Sequence, residues 1–463
     1  METSCLFSVV TAAYNAARWL PDLYGSLNSQ SLGFDRIQWI IVDDGSTDAT
    51  EKIARSWAAK HPNIVFIRQN NGGVASARNA GIPHIRGEWT CFIDADDFVK
   101  ADYFDVVREF IERTAYDGLV AACRMIFFHE DIREFHDTHH LNYRFSRGER
   151  IVNQLDEPEI HPFVNSSFFR SASILASKVR FDPSIRPSFE DAHFLACLQL
   201  DTQNYTVAFL DRAHYFYRKR SDQGSLITAG WGKIEKFRVQ PLAYLKLAKL
   251  YFTTLGRVPA FIQQLILYDA YWYFTRMIEG GTPLCLPTDD RAKFFQMLRG
   301  VFVYIDKEQI LFSRSPLFPL PFRFLALAVF KGLDWTDAPL VLEGQLLHSS
   351  QEFRAARYAQ TRRAVMLRTP AGQTFPLREK IIEHVFQGES LGIEQHIIFA
   401  LPEEGECGLE VDGVSVVTLA GDEALKTFTK KTLLNAVQKT GLPQTNNSRE
   451  IYQNCNNAAN MPS

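Results

Sequence analysis

Cysteine is scarce in this sequence and does not occur in the spacing of a metal site. The 463 residues contain seven cysteines, an odd number, and no two of them form a CxxC pair. Several lie inside apolar runs, where a cysteine usually acts as a small core residue. This distribution argues against a zinc site or a disulfide framework, and it favours a reducing compartment.

Long apolar runs are missing as well. The most apolar stretch, PLFPLPFRFLALAVFKGLDW, is interrupted by Arg323 and Lys331 and is too short to cross a bilayer. The N-terminal METSCLFSVV has neither a basic region nor a cleavage-like site, so we expect no signal peptide. These features predict a cytoplasmic protein that lies at most at the inner face of the membrane.

The chain also lacks a large excess of one charge. Its net charge is −3, so no overall positive field attracts nucleic acid, and we expect no nucleic-acid partner. Basic residues do outnumber acidic ones between residues 231 and 335. That stretch is either a solvated helical surface or a surface that docks on an anionic membrane or a polyanionic acceptor.

What the sequence does contain, up to about residue 115, is an alternation of strands and helices. FSVVT, IQWIIVDD, NIVFIR and EWTCFID are typical of buried strands, and they predict a mostly parallel α/β sheet covered on both faces. Ligands bind beyond the C-terminal ends of such strands. Here those ends carry Tyr14, Asp44 and Asp94, so we expect one polar crevice at this edge of the sheet.

The helices between these strands have recognisable patterns. Four apolar residues of the first helix follow helical spacing and should be buried together, and Asp48 is expected to cap the second helix. The apolar set is Trp19, Leu20, Leu23 and Leu27.

The stretch CFIDADDFVK ends the fourth strand with three aspartates. Two bare carboxylates about 4 Å apart repel by roughly 1–4 kcal/mol, so this pattern is costly unless a cation relieves it. Asp94 and Asp96, in D-x-D spacing, can hold one Mg²⁺ or Mn²⁺ that also binds the phosphates of a nucleotide. The alternative is an ordinary acidic turn. For Asp97 we expect only a cap on the next helix.

Two further loops lie at strand ends. Asp44, in VDDGS, could cap a turn, or it could accept a hydrogen bond from a nucleotide base. Gly72 and Gly73 open the next helix, where backbone N–H groups could meet a phosphate, although no Walker lysine follows. Arg78 lies on that helix and could equally be a surface residue.

Two later motifs, SFEDAHF and YRKRSDQGS, add charged groups. Glu190 and Asp191 could simply complement a helix dipole, or Asp191 could act as a general base beside an anionic diphosphate, which would raise its pKa. Arg218 and Arg220 could lie on a solvent-exposed loop, or they could clamp that diphosphate.

Taken together, these motifs resemble the family 2 glycosyltransferases of the GT-A fold. The similarity covers roughly residues 6 to 228 and consists of VVTAAYNAARWL, IIVDDGSTDAT, NNGGVASARNAGI, GEWTCFIDADDFV, SFEDAHF and YRKRSDQGS, in the family's order. One departure is that Ala12 and Ala13 stand where the family usually has a proline before the Tyr-Asn pair. The sequence also resembles the glycosyltransferase half of bifunctional glycosyltransferase/CDP-glycerol glycerophosphotransferases, and wall teichoic acid glycosyltransferases.

This resemblance implies a role for each matching residue. Asp191 would be the catalytic base, with Glu190 supporting the acceptor side, and Asp96 and Asp94 would bind Mn²⁺ or Mg²⁺. The partners implied are a nucleotide-sugar donor, with UDP as its carrier, and a glycan or polyol-phosphate acceptor. The residues expected to bind the donor are Thr11, Tyr14, Asp44, Arg78, Asp94, Arg218, Arg220 and Ser225.

We divide the chain into four parts on this basis. The GT-A catalytic domain is expected over residues 1–228, a helical domain over 229–337 and a small β-sandwich-like domain over 338–425. Residues 426–463 form a polar tail that we expect to be disordered. The β domain is a candidate for contacts in a homo-oligomer.

Two other functions remain open at this point. A nucleotidyltransferase would use a similar α/β domain, but it would begin with a glycine-rich basic loop, and TAAYNAAR is not such a loop. A non-catalytic glycan-binding or scaffold protein could also be built on a degenerate transferase domain. The presence of all the expected carboxylates favours an enzyme, and the family resemblance implies one that inverts the configuration of the transferred sugar.

Overall fold

A computed structural model gives the fold of the chain. It describes residues 6–220, 230–278, 286–311, 320–331, 340–347, 352–359, 362–386, 389–402, 404–412, 414–416, 418–420, 423–425, 428–429 and 432. Ser225 and nearly all of the expected tail therefore lie outside the described residues. The chain divides into two compact units, one formed mainly by residues up to 266 and the other mainly by residues after 297.

The first unit is a layered α/β domain. Its strands are β1 (Phe7–Ala13), β2 (Ile37–Asp43), β3 (Ile64–Arg68), β4 (Trp89–Phe92), β5 (Phe98–Val99), β6 (Val120–His129), β7 (Glu134–His136), β8 (Arg150–Asn153), β9 (Ser167–Arg170) and β10 (Thr206–Lys219). Its first helices are α1 (Leu20–Asn28), α2 (Thr50–Ala58), α3 (Val74–Gly81), α4 (Tyr103–Thr114), α5 (Ser171–Ala176) and α6 (Glu190–Thr202).

Ten strands form one sheet, in which eight follow the order β3-β2-β1-β4-β9-β6-β10-β5, while β7 pairs with β6 and β8 with β10. Strands β1 to β4 pair in parallel, and so do β6 and β10. Strand β9 runs antiparallel to both of its neighbours, β4 and β6. The expected α/β class is confirmed, and the sheet is mixed in direction beyond β4. The carboxyl ends of β1, β2 and β4 meet at one edge, as the strand pattern predicts.

Both faces of this sheet are covered. The residues of β2 are all buried, and those of β1 nearly all, because helices pack on the two sides of the sheet. One face holds a cluster of aromatic rings in which Phe7 packs edge-on against Phe104 and Phe168 at 5.2 Å. Leu20, Leu23 and Leu27 of α1 are completely buried, as expected from their spacing.

The start of α2 differs from the expectation. The helix begins at Thr50 and the residue before it is Ala49, so Asp48 is not the cap. Its carboxylate instead accepts hydrogen bonds from the backbone N–H groups of Thr50 and of Ala17, at 2.9 and 3.1 Å. Asp48 therefore connects the entrance of α2 to the loop after β1.

Helical elements follow the α/β layers, as the sequence predicts. They are α7 (Glu235–Arg238), α8 (Gln240–Leu255), α9 (Ala260–Ile278), α10 (Thr288–Phe302), α11 (Lys307–Leu311) and α12 (Leu320–Lys331). Helix α8 packs on α6, and the Tyr251 hydroxyl donates a hydrogen bond to the Ala196 carbonyl at 2.7 Å. Within the part of the chain that the structure describes, no helix combines the length and apolar character that crossing a membrane requires.

The second unit contains the predicted β region. Its strands are β11 (Leu340–Leu347), β12 (Glu352–Ala359), β13 (Val365–Arg368), β14 (Thr374–Phe375), β15 (Leu377–Phe386), β16 (Glu389–Ala400), β17 (Gly408–Val411), β18 (Val414–Val416), β19 (Thr418–Ala420) and β20 (Glu423–Leu425).

These strands form a six-stranded and a four-stranded sheet, and side chains from both share one apolar core. The sandwich-like arrangement is therefore confirmed. Strands β17 and β18 pair antiparallel, with Val411 opposite Val414, as the turn signal of the Asp-Gly pair predicts. Asp412 occupies the left-handed region in this turn, with φ of 52°.

Candidate active site

Arg78 lies at the centre of the polar crevice. It projects from the last turn of α3, and its side chain is only 4 % exposed. One guanidinium nitrogen, Nη2, lies 2.9 Å from Asp94 Oδ1, and the other, Nη1, donates a hydrogen bond to Asp191 and lies 3.5 Å from Glu190 Oε1. One buried cation thus joins the carboxylate at the end of β4 to the two carboxylates at the start of α6.

This cluster shifts the ionisation of its members. Burial, followed by the charge of Asp191, raises the pKa of Glu190 to about 8. Burial also raises the pKa of Asp191, although the Arg78 guanidinium opposes that rise. A raised pKa makes a carboxylate a stronger proton acceptor, so Asp191 has the character that a general base requires.

The backbone before α6 fixes where these two carboxylates lie. Phe189 adopts a left-handed conformation with φ of 84°, which is rare for a bulky residue and costs of order 1–3 kcal/mol. Its ring is buried against Tyr244 of α8, with centroids 4.7 Å apart, and this packing offsets the cost. The turn at Phe189 allows α6 to begin at Glu190, so Glu190 and Asp191 both lie in its first turn.

Asp94 is held from two sides. Arg78 contacts Oδ1, and the Asn165 side-chain amide donates a hydrogen bond to Oδ2 at 3.2 Å. Asn165 lies just before β9, the strand that pairs with β4, and it is 5 % exposed. Since a carboxylate only accepts hydrogen bonds, the amide nitrogen must face Asp94 and the Asn165 oxygen must point elsewhere. That oxygen is buried and has no hydrogen-bond partner.

Asp96 differs from Asp94 because its side chain is 32 % exposed and less firmly held. Its Oδ2 lies 3.6 Å from Arg220 Nε. Burial, followed by the charge of Asp94, raises the pKa of Asp96, and Arg220 opposes this rise. A cation bound here would relieve the same repulsion, as the D-x-D spacing predicts.

The third aspartate of this motif does not cap a helix as we expected. Asp97 is buried and accepts hydrogen bonds from the Tyr215 hydroxyl, at 2.6 Å, and from the Arg218 backbone N–H, at 2.7 Å. The next element is the short strand β5, which pairs with β10. Asp97 therefore fastens the acidic loop to β10, the strand that carries Tyr215 and Arg218.

Asp94 and Asp96 are compatible with a divalent ion that is completed by a ligand. No group of three His, Cys, Asp or Glu side chains with the arrangement of a metal site occurs among the described residues. Mg²⁺ usually binds through one or two carboxylates, with water and phosphate oxygens as its other ligands. Asp96 is partly exposed and fits this requirement, whereas Asp94 is already held by Arg78 and Asn165.

Arg218 and Arg220 have different surroundings. The Arg218 guanidinium is buried, donates hydrogen bonds to the Asp96 carbonyl at 2.6 Å and to Asp22 at 2.7 Å, and lies over Phe98. This geometry favours a role for Arg218 in shaping the loop. Arg220 lies over the Trp19 ring and beside the Asp96 carboxylate, where it can reach a ligand of that group.

The Asp44 carboxylate occupies the start of α3. Asp44 is buried and accepts hydrogen bonds from the Gln69 amide at 2.7 Å and from the backbone N–H groups of Gly72 and Gly73, both at 2.8 Å. These two N–H groups are the ones that we expected to meet a phosphate, and in this arrangement they bind Asp44 instead. The contact of Asp44 with a nucleotide base stays a prediction.

The other predicted donor residues fall in three different places. Tyr14 is 53 % exposed at the carboxyl end of β1, which leaves its ring available for stacking. Thr11 is completely buried, and its hydroxyl accepts a hydrogen bond from the Trp39 indole at 3.0 Å, so the geometry gives it a structural contact. Ser225 lies outside the described residues.

Sequence reasoning missed three residues that contact the acidic loop or its arginines: Asn165, Trp19 and Tyr215. None belongs to a motif of charged residues, and each meets a partner more than 70 positions away in the chain. The only local signal is that Trp19, although it follows the spacing of α1, directly precedes the helix and lies beside Arg18.

Comparisons with known proteins bear on the identity of this domain. Residues 8–176 match the family model described as glycosyl transferase family 2. The minor teichoic acid biosynthesis protein GgaB of Bacillus subtilis is 29 % identical over 67 % of this chain and 33 % of its own length. GgaA of the same organism is 28 % identical over 69 % of this chain and 71 % of its own length. The match thus spans a third of GgaB.

A crystal structure of TarS from S. aureus has a similar fold. It has a TM-score of 0.53 and 20 % identity, and it covers 70 % of this chain and 87 % of the TarS chain. This likeness confirms the expected GT-A architecture. The family match covers the first four of the six motifs and agrees with the glycosyltransferase class that they predict. Residues 8–176 of the chain therefore match the family 2 glycosyltransferases, in a domain with the GT-A fold.

Proposed function

We propose that this chain is an inverting, metal-dependent glycosyltransferase that moves a sugar from a nucleotide-sugar to a hydroxyl of a cell-surface glycan or a polyol-phosphate polymer. The main support is the arrangement of Asp191 and Asp94, which contact the two terminal nitrogens of the same Arg78 guanidinium. Asp191, the proposed base for the acceptor, and Asp94, the carboxylate proposed to face the donor, are thus linked through a single side chain.

In the proposed reaction, Asp191 accepts the proton of the acceptor hydroxyl. The hydroxyl oxygen forms a bond to the anomeric carbon as the bond to the diphosphate oxygen breaks on the opposite face, so the configuration inverts. Arg78 keeps Asp191 in place and supplies positive charge beside it. Arg220 lies next to Asp96 and can stabilise the negative charge that develops on the departing diphosphate.

We further propose that Asp96 binds Mn²⁺ or Mg²⁺ together with the donor. When bound, such an ion would neutralise charge on the diphosphate. The support is the partial exposure of Asp96 and the rise in its pKa, which reflects burial and the charge of Asp94. Asp94 would face the ribose or the same ion.

The relatives suggest the identity of the substrates. The TarS structure was obtained in complex with UDP-GlcNAc, and curated TarS sequences are named poly(ribitol-phosphate) beta-N-acetylglucosaminyltransferases. GgaA and GgaB are named minor teichoic acid biosynthesis proteins. We therefore propose a UDP-linked hexose or N-acetylhexosamine as the donor and a teichoic-acid-like polymer as the acceptor.

The deciding experiment is sugar transfer by an Asp191→Asn variant. Loss of the general base should lower kcat by about 10²- to 10⁴-fold, while UDP binding, measured by calorimetry with Mn²⁺, should stay close to that of the wild type. Asp201→Asn is a matched control at the other end of α6, where the carboxylate accepts a hydrogen bond from Ser177. Near-normal transfer by a folded Asp191→Asn protein would remove Asp191 as the base.

A scaffold or glycan-binding role predicts a different result in the same assays. A scaffold would not hydrolyse any nucleotide-sugar in the presence of Mn²⁺, with or without an acceptor. A panel of UDP-sugars screened first by thermal shift would identify the donor to use.

A further inference from the structure

We propose that Trp19 is a positioning residue for the donor diphosphate, because its indole ring holds Arg220 beside Asp96. This inference rests on the proposed function, in which the diphosphate lies near Asp96. Neither the family match nor the sequence motifs assign a role to Trp19.

The contact itself is a cation–π interaction. The Arg220 guanidinium carbon lies 4.8 Å from the centroid of the Trp19 ring, and Arg220 Nε lies 3.6 Å from Asp96 Oδ2. A guanidinium that offers its face to an aromatic ring keeps its N–H groups in the plane, directed at oxygen acceptors. The ring therefore fixes the orientation of Arg220 toward the place where phosphate oxygens would lie.

Trp19 differs from the apolar residues that share its helical spacing. Leu20, Leu23 and Leu27 are completely buried in the core. Trp19 is only half-buried, and its indole N–H donates a hydrogen bond to Glu130 Oε1 at 3.2 Å. Trp19 thus contacts charged groups at the crevice, Glu130 and Arg220, whereas a core residue would contact apolar side chains.

Glu130 connects the Trp19 ring to the rest of the acidic loop. Its carboxylate lies 3.4 Å from Arg218 Nη1, and Arg218 in turn donates a hydrogen bond to the Asp96 carbonyl. Trp19 and Arg218 therefore both contact Glu130. Trp19 also contacts Arg220 beside Asp96, and Arg218 binds the Asp96 carbonyl. Displacing the indole should move the Arg220 side chain and leave the Asp96 backbone, which Arg218 fixes, in place.

The first test is the affinity for UDP in the presence of Mn²⁺, measured by calorimetry on the full chain. Trp19→Leu should raise the Kd by about two- to thirtyfold, the range expected for loss of a cation–π contact. Trp19→Phe keeps an aromatic face and should recover most of the affinity. The donor KM should rise more than the acceptor KM, because Asp191 is unaffected.

A double-mutant cycle shows whether Trp19 acts through Arg220. In an Arg220→Gln background, Trp19→Leu should cause little further loss of UDP affinity, because the group it positions is already gone. Trp57→Leu is the matched control: Trp57 stacks on Tyr24, with ring centroids 4.4 Å apart, so this change should lower stability without weakening UDP binding.

Two results would overturn the inference alone: wild-type UDP affinity in Trp19→Leu, or additive losses in the double variant. Failure of the proposed function would look different, since the wild-type protein itself would then bind no UDP with Mn²⁺.

Discussion

Arg78 donates a hydrogen bond to Asp191 although 113 positions separate them in the chain. The bond connects the end of α3 to the start of α6, and it places a buried cation directly beside the proposed base. Because Arg78 also contacts Asp94, a change at this one side chain should affect both stability and catalysis.

We expect Arg78→Gln to lower the free energy of unfolding by about 3–5 kcal/mol, because it leaves buried carboxylates without their cation. Arg78→Lys should cost less, since it keeps the charge. Urea unfolding measures both changes. Arg55→Gln is the control, because Arg55 is 59 % exposed and its pair with Glu51 is screened by solvent, so its loss should change stability little. A loss of similar size in the two glutamine variants would contradict a central role for Arg78.

Glu190 should make stability depend on pH. Its pKa is raised from 4.5 to about 8 by burial and by the charge of Asp191, so the folded protein holds a proton that the unfolded chain has released. The contribution of this proton to the free energy of unfolding is fully present below pH 4.5 and is lost as the pH rises through 8. Glu190→Gln should therefore gain stability relative to the wild type across this window.

Thermal unfolding of both proteins from pH 4.5 to pH 9 measures this difference, in which the contributions of other titrating groups largely cancel. A difference that stays constant with pH would show that Glu190 keeps an ordinary pKa in the folded protein.

Asn165 should matter more for donor binding than for stability. Asn165→Ala removes one hydrogen bond to Asp94, but it also removes a buried oxygen that has no partner, so the free energy of unfolding should change by no more than about 1 kcal/mol. With Asp94 less firmly held, kcat/KM for the donor should fall about tenfold, which corresponds to about 1.4 kcal/mol.

Asn142→Ala is the matched control for this variant. Asn142 is a buried asparagine whose amide donates hydrogen bonds to the Met125 carbonyl and to Asp137 and to no carboxylate of the crevice. Its oxygen is also buried without a hydrogen-bond partner, so this variant differs from Asn165→Ala in losing two hydrogen bonds instead of one. Asn142→Ala should therefore lose at least as much stability and keep its donor kinetics. The reverse pattern in the two variants would contradict the proposed role of Asn165.

Arg220 should compete with a metal ion for Asp96. The Arg220 side chain lies 3.6 Å from the Asp96 carboxylate and partly neutralises it. Arg220→Gln should therefore tighten the binding of Mn²⁺ alone by up to about fivefold, the range of a partly exposed pair, while it weakens the binding of UDP. Calorimetry with each ligand separately measures both effects.

Arg212→Gln serves as the control, because Arg212 lies in β10, pairs with Glu149 and is 54 % exposed. If Arg220→Gln weakened Mn²⁺ binding as strongly as it weakened UDP binding, Arg220 and the ion would not compete for Asp96.

Much of this fold can be predicted from the sequence, because the patterns that mark strands and helices are local. Continuous apolar strands predict a covered sheet, and parallel strands end at one edge, which brings Asp44, Asp94 and Tyr14 to one region. YRKR is an exception, because the sequence allowed a basic loop there. The structure places Arg218 within β10 and Arg220 directly after it, and Lys219 lies over the rings of Phe127 and Tyr217.

The hydrogen-bond partners could not be predicted in the same way. Alternation does not reveal that Arg218 is buried against Phe98, or that Asn165 contacts Asp94 from the residues just before β9. These contacts depend on how distant segments pack, and asparagine and tryptophan carry no motif that marks them. Thr11 shows the opposite case, because its position in the first motif suggests a ligand contact, whereas packing directs its hydroxyl to Trp39.

The Asp44 carboxylate has a consequence for where a nucleotide can lie. By accepting the N–H groups of Gly72 and Gly73, it acts as a resident anion at the start of α3. A second negative group would be repelled from that turn, so we expect the phosphates of a nucleotide to lie away from it, toward the side of the crevice that carries Arg220. An Asp44→Gly protein would lose this repulsion, and the N–H groups of Gly72 and Gly73 would then be able to bind inorganic phosphate.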